Sequence, residues 1–142
     1  MKIDENNPFR SKKRILIAKV GLDGHDRGAK IIINFLKESG YQIIYSGLHK
    51  TPEQIVDIAI QEDVDAVGIS ILSGSHTELV SQFFNELNSK SLSKILVFMG
   101  GTIPKYDFNI LKELGVDEIF PTGTDIIPVL LWLDKKLKIS NT

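Results

Sequence analysis

Arg14-Ile15-Leu16-Ile17-Ala18-Lys19-Val20 is a short run in which Ile, Leu, Ala and Val follow one another without polar alternation. Such a run predicts a strand covered on both faces, because a half-exposed strand would alternate. It opens into Lys19-Val20-Gly21-Leu22-Asp23-Gly24-His25-Asp26-Arg27-Gly28, a loop rich in glycine and chargeable groups. From Gly28 onward, Ala29, Ile32, Ile33 and Leu36 recur at helical spacing and end at Ser39-Gly40, a C-terminal stop. The unit is strand, loop, helix.

The same unit recurs along the chain. Residues 41–46 (YQIIYS), 66–72 (AVGISIL), 94–99 (KILVFM) and 118–120 predict four more strands, the fourth strand being stopped by Gly100-Gly101. Thr51-Pro52-Glu53-Gln54 is a helix start: Thr51 can cap, Pro52 suits the first turn and Gln54 can close a capping box. Leu79, Val80, Phe83, Phe84 and Leu87 predict an amphipathic helix, and residues 106–114 a short one closed by Gly115. After Pro121-Thr122-Gly123, a last helix carries Ile126, Ile127, Leu130, Leu133 and Leu137 on its apolar side. Five strands thus alternate with five helices. Right-handed crossovers then predict a doubly wound α/β domain, flavodoxin-like (Rossmann-like), with a five-stranded parallel sheet of order 2-1-3-4-5. One domain is expected, over residues 14–138, with residues 1–13 as a loose arm and 139–142 fraying.

Composition narrows the functions. The chain has 142 residues, 42% hydrophobic and 25% charged, with net charge −1. No basic field is present to hold nucleic acid or an anionic membrane. There is no cysteine, so disulfides, thiolate metal sites and cysteine nucleophiles are excluded. The first ten residues lack the apolar core of a signal peptide, and no apolar run approaches the roughly 20 residues of a membrane span. A cytoplasmic protein is the expectation.

In such a sheet, ligands bind beyond the C-terminal strand ends, at the switch point between strands 1 and 3. The unusual loops fall there: residues 19–28, Ser70-Ile71-Leu72-Ser73-Gly74, Gly100-Gly101, and Phe120-Pro121-Thr122-Gly123-Thr124. Within the first, Asp23 can accept a hydrogen bond from one His25 ring nitrogen and turn the other outward as a ligand. Lys19 can hold the Asp23 carboxylate in its charged form. One histidine is too few for a protein-only zinc or iron site, but enough for a metal that brings most of its own ligands. His49 and His76 carry no comparable partners and read first as surface residues, although His76 opens a helix near the expected site. A phospho-acceptor receiver is excluded by Lys19-Val20 and Ser70 where acidic residues are needed. A flavin-phosphate loop, G-x-G-x-x-G, a P-loop and a nucleophile elbow are all missing.

Asp23-Gly24-His25-Asp26-Arg27-Gly28 resembles the D-x-H-x-x-G signature of cobalamin-binding domains. Ser70-Ile71-Leu72 resembles their S-x-L motif, and Gly100-Gly101 their G-G motif. The surround from Ala18 to Lys30 is similar to the acyl-CoA mutase branch, methylmalonyl-CoA mutase in particular. The resemblance implies His25 as lower axial cobalt ligand in place of the cofactor's own base, with Asp23 and Lys19 completing the ligand relay. It places Gly24, Asp26, Arg27 and Gly28 under the corrin. The nucleotide tail would lie in a slot past Ser70, Leu72 and Gly74, with Gly100, Gly101, Phe120, Gly123 and Thr124 on its far side.

The resemblance implies the family reaction, a carbon-skeleton rearrangement using adenosylcobalamin, with methylmalonyl-CoA to succinyl-CoA as the expected conversion. The acyl-CoA sits in a separate TIM-barrel domain. This chain has no room for one and is therefore expected to be a small subunit, or an excised C-terminal domain, active only with a large partner. Isobutyryl-CoA or 2-hydroxyisobutyryl-CoA mutase small subunits are alternatives, as is a non-catalytic corrinoid carrier or regulator. The carrier would need a helical cap and the light-sensing regulator a DNA-binding module, and residues 1–13 do not accommodate either.

Overall fold

The computed structural model describes residues 7–19, 27–47, 50–71, 76–91 and 94–139. The elements run β1 (Arg14–Lys19), α1 (Arg27–Glu38), β2 (Gln42–Tyr45), α2 (Pro52–Gln61), β3 (Ala66–Ile71), α3 (His76–Lys90), β4 (Leu96–Gly101), α4 (Phe108–Leu114), β5 (Glu118–Pro121) and α5 (Ile126–Lys136). Every strand pairing is parallel, and the sheet order is β2-β1-β3-β4-β5, as the apolar runs predict. No helix among the described residues is long and apolar enough to cross a membrane.

The two sheet faces sort the core by strand alternation. Ile15 and Ile17 point to one face, where they pack with Ala29 and Leu36 of α1, Phe98, and Val129, Leu130 and Leu133 of α5. Leu16 and Ala18 point to the other, with Ile55, Val56 and Ala59 of α2, Phe83 of α3 and Leu111 of α4. Both faces are therefore apolar, which is why the strands do not alternate in sequence. Helix α2 starts as expected: the Thr51 side chain accepts from the Gln54 N–H, and the Gln54 side chain accepts from the Thr51 N–H. In α5 the buried set is Val129, Leu130 and Leu133, and Ile126 and Ile127 are only half-buried. Val129, Leu130 and Leu133 follow the i, i+1, i+4 spacing of one helix face, and that face shares a core with Ala29 and Leu36 of α1. The expected helix at 106–114 is divided, with a 3₁₀ turn at Lys105–Asp107 ahead of α4.

Two expectations are corrected. Gly100-Gly101 do not stop the fourth strand; they are its last two residues and pair with Ser70 and Ile71 on one side and Phe120 and Pro121 on the other. A glycine pair there permits close strand approach rather than a turn. The stretch before β1 is not loose from residue 7 onward. Pro8–Lys12 is a 3₁₀ turn capped by the Asn7 side chain, and Arg10 is 2% exposed. Its guanidinium grips Asp134 of α5 through two bonds, Nε–Oδ1 at 3.0 Å and Nη2–Oδ2 at 2.7 Å, and donates to the Ser39 carbonyl at the end of α1. Polar composition suggested a solvated arm, but a buried cation with a forked carboxylate partner fastens it.

Tyr41 completes this cluster, donating its hydroxyl to Asp134 Oδ1 at 2.6 Å. Burial, and then the bond to Asp134, raise the phenol above its ordinary value. The unfolded phenol ionises from about pH 10, while the folded one resists. Its stabilising contribution is therefore full below that pH and lost as pH rises above it. Urea midpoints measured between about pH 8 and about pH 11 should fall more steeply for the wild type than for Tyr41→Phe; parallel curves would refute the coupling.

Candidate functional site

The parallel register brings distant residues into one row. Lys19 pairs with Ser70, Ser70 with Gly100, and Gly100 with Phe120. Register partners in a parallel sheet point to the same face, so these four residues line up across β1, β3, β4 and β5. Two residues earlier on each of the first three strands lie Ile17, Gly68 and Phe98 in a second row. Both rows border a cavity of about 430 Å³ between the sheet and the N-terminal ends of α1 and α5. It lies on the α1/α5 face, at the C-terminal strand edge between β1 and β3 and on toward β5, where the topology predicts a ligand site.

The cavity is shaped by missing side chains. A Cβ on Gly68 would stand 2.5 Å from the Phe98 ring, so the missing side chain at Gly68 makes room for Phe98 in the pocket lining. Gly28, at the start of α1, and Gly123 have nothing within 4 Å of an added Cβ, so both leave open space. Gly101 has φ +122, and a Cβ there would stand 1.9 Å from the Ile71 carbonyl oxygen. Only glycine allows the β3 and β4 backbones to come so close at the mouth. On the far wall, Thr124 N–H and Oγ1 both bond the Pro121 carbonyl in a turn whose third residue, Gly123, has φ +97. That turn is tied to β4 through the Thr122 N–H and the Gly101 carbonyl at 3.0 Å.

Phe98 and Phe120 meet edge to face at 6.2 Å between centroids, and both pack edge-on against Trp132 of α5. The lining is mainly apolar, with Lys19, Ser70, Thr102, Thr122 and Thr124 as its polar residues. Lys19 is 1% exposed, and its backbone N–H donates to Ser46 Oγ. A largely apolar, pre-formed slot with a few polar groups suits an elongated ligand with a flat apolar part and a polar chain. The open Gly28 and Gly123 positions leave room in this slot for a narrow chain, so the described residues fit the nucleotide tail of a corrinoid.

Of the expected site residues, Lys19, Gly28, Ser70, Gly100, Gly101, Phe120, Gly123 and Thr124 all border this cavity. Arg27 opens α1 beside it. Asp23, Gly24, His25, Asp26, Leu72 and Gly74 lie outside the described residues, as does His49. Sequence reasoning missed Ile17, Gly68, Phe98, Thr102 and Val129. Gly68, a glycine inside an apolar strand two residues before Ser70, was the available signal. His76 is neither a surface residue nor a member of this cavity: it is 5% exposed, and its Nε2 lies 2.7 Å from Asp107 Oδ2.

The family profile described as "B12 binding domain" matches residues 13–131. The chain is 46% identical over 111 residues to the 2-hydroxyisobutanoyl-CoA mutase small subunit of Aquincola tertiaricarbonis, covering 78% of this chain and 82% of that one. It is 44% identical over 115 residues to the mitochondrial methylmalonyl-CoA mutase of Homo sapiens, covering 81% of this chain but only 15% of that much longer protein. Among solved structures, a cobalamin-binding protein from Desulfitobacterium hafniense superposes with a TM-score of 0.76 at 20% identity, over 89% of this chain and 59% of that one. A putative pilus assembly-related protein from Burkholderia pseudomallei superposes with a TM-score of 0.67 at 15% identity, over 97% and 98%. The fold is thus shared by proteins of unrelated description and does not itself assign function. The profile match over most of the chain does: this chain belongs to the B12 binding domain family.

Proposed function

We propose that this chain is the cobalamin-binding subunit of an adenosylcobalamin-dependent acyl-CoA mutase, acting in the interconversion of methylmalonyl-CoA and succinyl-CoA. The observation that carries the reading is the row Lys19, Ser70, Gly100, Phe120 across four strands, which brings separate motif residues to one cavity. The binding domain is residues 14–138. His25 would ligate the cobalt, Asp23 would orient its ring and Lys19 would keep Asp23 ionised. Gly24, Asp26, Arg27 and Gly28 would bind the corrin. Ser70, Leu72 and Gly74 on one side, and Gly100, Gly101, Phe120, Gly123 and Thr124 on the other, receive the nucleotide tail.

When bound, the cofactor supplies the radical chemistry of the rearrangement. This chain's residues bind it, orient it and exclude water from its lower face. The acyl-CoA is held by a large partner with a TIM-barrel substrate domain. A second reading, the 2-hydroxyisobutyryl-CoA mutase small subunit, draws on the 46% identity to that subunit and on the matching lengths. The similar 44% identity to methylmalonyl-CoA mutase means the two are separated by assay with the partner, not by this chain.

The ligand assignment has its own test. The chain labelled with nitrogen-15 histidine and loaded with Co(II) cobalamin should show imidazole nitrogen hyperfine coupling that changes with the isotope. In His25→Ala the coupling should vanish. An isotope-independent spectrum, or one unchanged in His25→Ala, would overturn His25 as the ligand.

A further inference from the structure

We propose that His76 and Asp107 form a clasp that positions one wall of the cofactor cavity. This inference rests on the cobalamin reading above. His76 is the first residue of α3, and Asp107 is the last of the 3₁₀ turn before α4. They are 31 residues apart in sequence, yet the Asp107 carboxylate accepts from His76 Nε2 at 2.7 Å. The histidine side chain is 6% exposed and the aspartate 22%. A short bond between a buried imidazole and a carboxylate is of the stronger class.

Asp107 joins the 3₁₀ turn directly to α4, with helical φ −93 and ψ −7, and its side chain makes no capping bond to the helix. Its carboxylate instead meets His76 of α3, a contact between two elements.

What the clasp holds follows from the chain path. β3 and β4 run side by side, with Ser70 opposite Gly100 and Ile71 opposite Gly101. After Gly101, Thr102 still borders the cavity, Ile103 turns into the opposite core, and Pro104 accepts from the Asp107 N–H. The segment from Thr102 to Asp107 is therefore anchored at its start by β4 and at its end by His76. Gly100 and Gly101 are held by the sheet and Thr102 by its contact with Thr122 Oγ1, so what the clasp fixes is the far end of the segment that leaves the wall at Thr102. His76 is not among the residues that line the cavity, and it acts on the wall through Asp107, so it is a positioning residue.

If the clasp pre-organises the wall, its loss reduces the fraction of molecules ready to bind, and apparent affinity falls by that fraction. The test is titration of the purified chain with adenosylcobalamin, followed by visible absorbance, with association and dissociation rates measured by stopped flow. His76→Ala and Asp107→Ala are each expected to weaken binding about tenfold, mainly through slower association, with the bound spectrum unchanged. The double variant should be no worse than either single one. His76→Gln should recover part of the loss, since its side-chain amide can donate to the same carboxylate. A merely structural bond would lower the thermal midpoint of the cofactor-free chain yet leave association by the folded fraction unchanged, and that result would overturn the clasp. Additive losses in the double variant would overturn it too. If His76→Ala fails to fold, His76→Gln compared with Asp107→Asn carries the same rate comparison. A wild-type chain that takes up no cobalamin would instead overturn the reading of the site, and the clasp with it.

Discussion

Gly101→Ala is expected to lose more than about 3 kcal/mol of stability and, with it, cobalamin binding. Two independent costs meet at this position. The backbone has φ +122, which an L side chain rarely adopts, and the new methyl would stand 1.9 Å from the Ile71 carbonyl oxygen. That oxygen belongs to the neighbouring strand and not to a side chain that could swing aside, so β3 and β4 must separate. Gly100→Ala is the control. Its methyl would meet its nearest neighbour, the Phe120 carbonyl oxygen, at an ordinary 3.5 Å, but it would intrude on the cavity. Urea unfolding should therefore leave Gly100→Ala near wild type, while titration with cobalamin shows weaker binding. Gly101→Ala should fail in both measurements. A wild-type urea midpoint for Gly101→Ala would contradict the close approach of the two strands.

Asp134→Ala is expected to cost about 3–5 kcal/mol, the range for breaking a buried ion pair by removing one partner. The Arg10 guanidinium is 2% exposed and would keep only its bond to the Ser39 carbonyl among those described above. Tyr41 would lose its acceptor at the same time. Three segments are joined at this point: the turn at Pro8–Lys12, the end of α1 and the last turns of α5. Replacing both Arg10 and Asp134 with leucine should be much less damaging than Asp134→Ala alone, because no charge is then left buried. The cluster lies at the other end of α1 and α5 from the cavity. At a temperature where Asp134→Ala remains folded, its cobalamin affinity should thus match the wild type. Thermal unfolding and cobalamin titration of the three proteins check both statements. A loss as large in the double variant as in Asp134→Ala would show that packing, and not the charge, carries the effect.

The elements and their order were legible because they rest on local patterns. Runs without charged or polar side chains at residues 15–18, 66–69 and 97–99 have no solvent face, and that requirement selects a parallel sheet covered on both sides. The Thr51 and Gln54 capping box lies within four residues and is realised as written. The site was legible only as separate loops. Nothing in the spacing of Lys19, Ser70, Gly100 and Phe120 says that they form a row, because register is set by pairing between strands some 20 to 50 residues apart.

By itself, then, the sequence determined which segments become strands and helices, the winding of the sheet, and the motif residues of its C-terminal edge. Those properties follow from periodicities of two and 3.6 residues, which a linear chain displays directly. Tertiary structure alone decided that Gly100-Gly101 extend β4, that Arg10 is buried against Asp134, and that His76 turns inward to Asp107. Each of these depends on a partner brought close in space from far along the chain, 124 residues away for Arg10 and 31 for His76. A polar residue's burial is decided by such a partner, because the cost of leaving water is met only where the hydrogen bond is made.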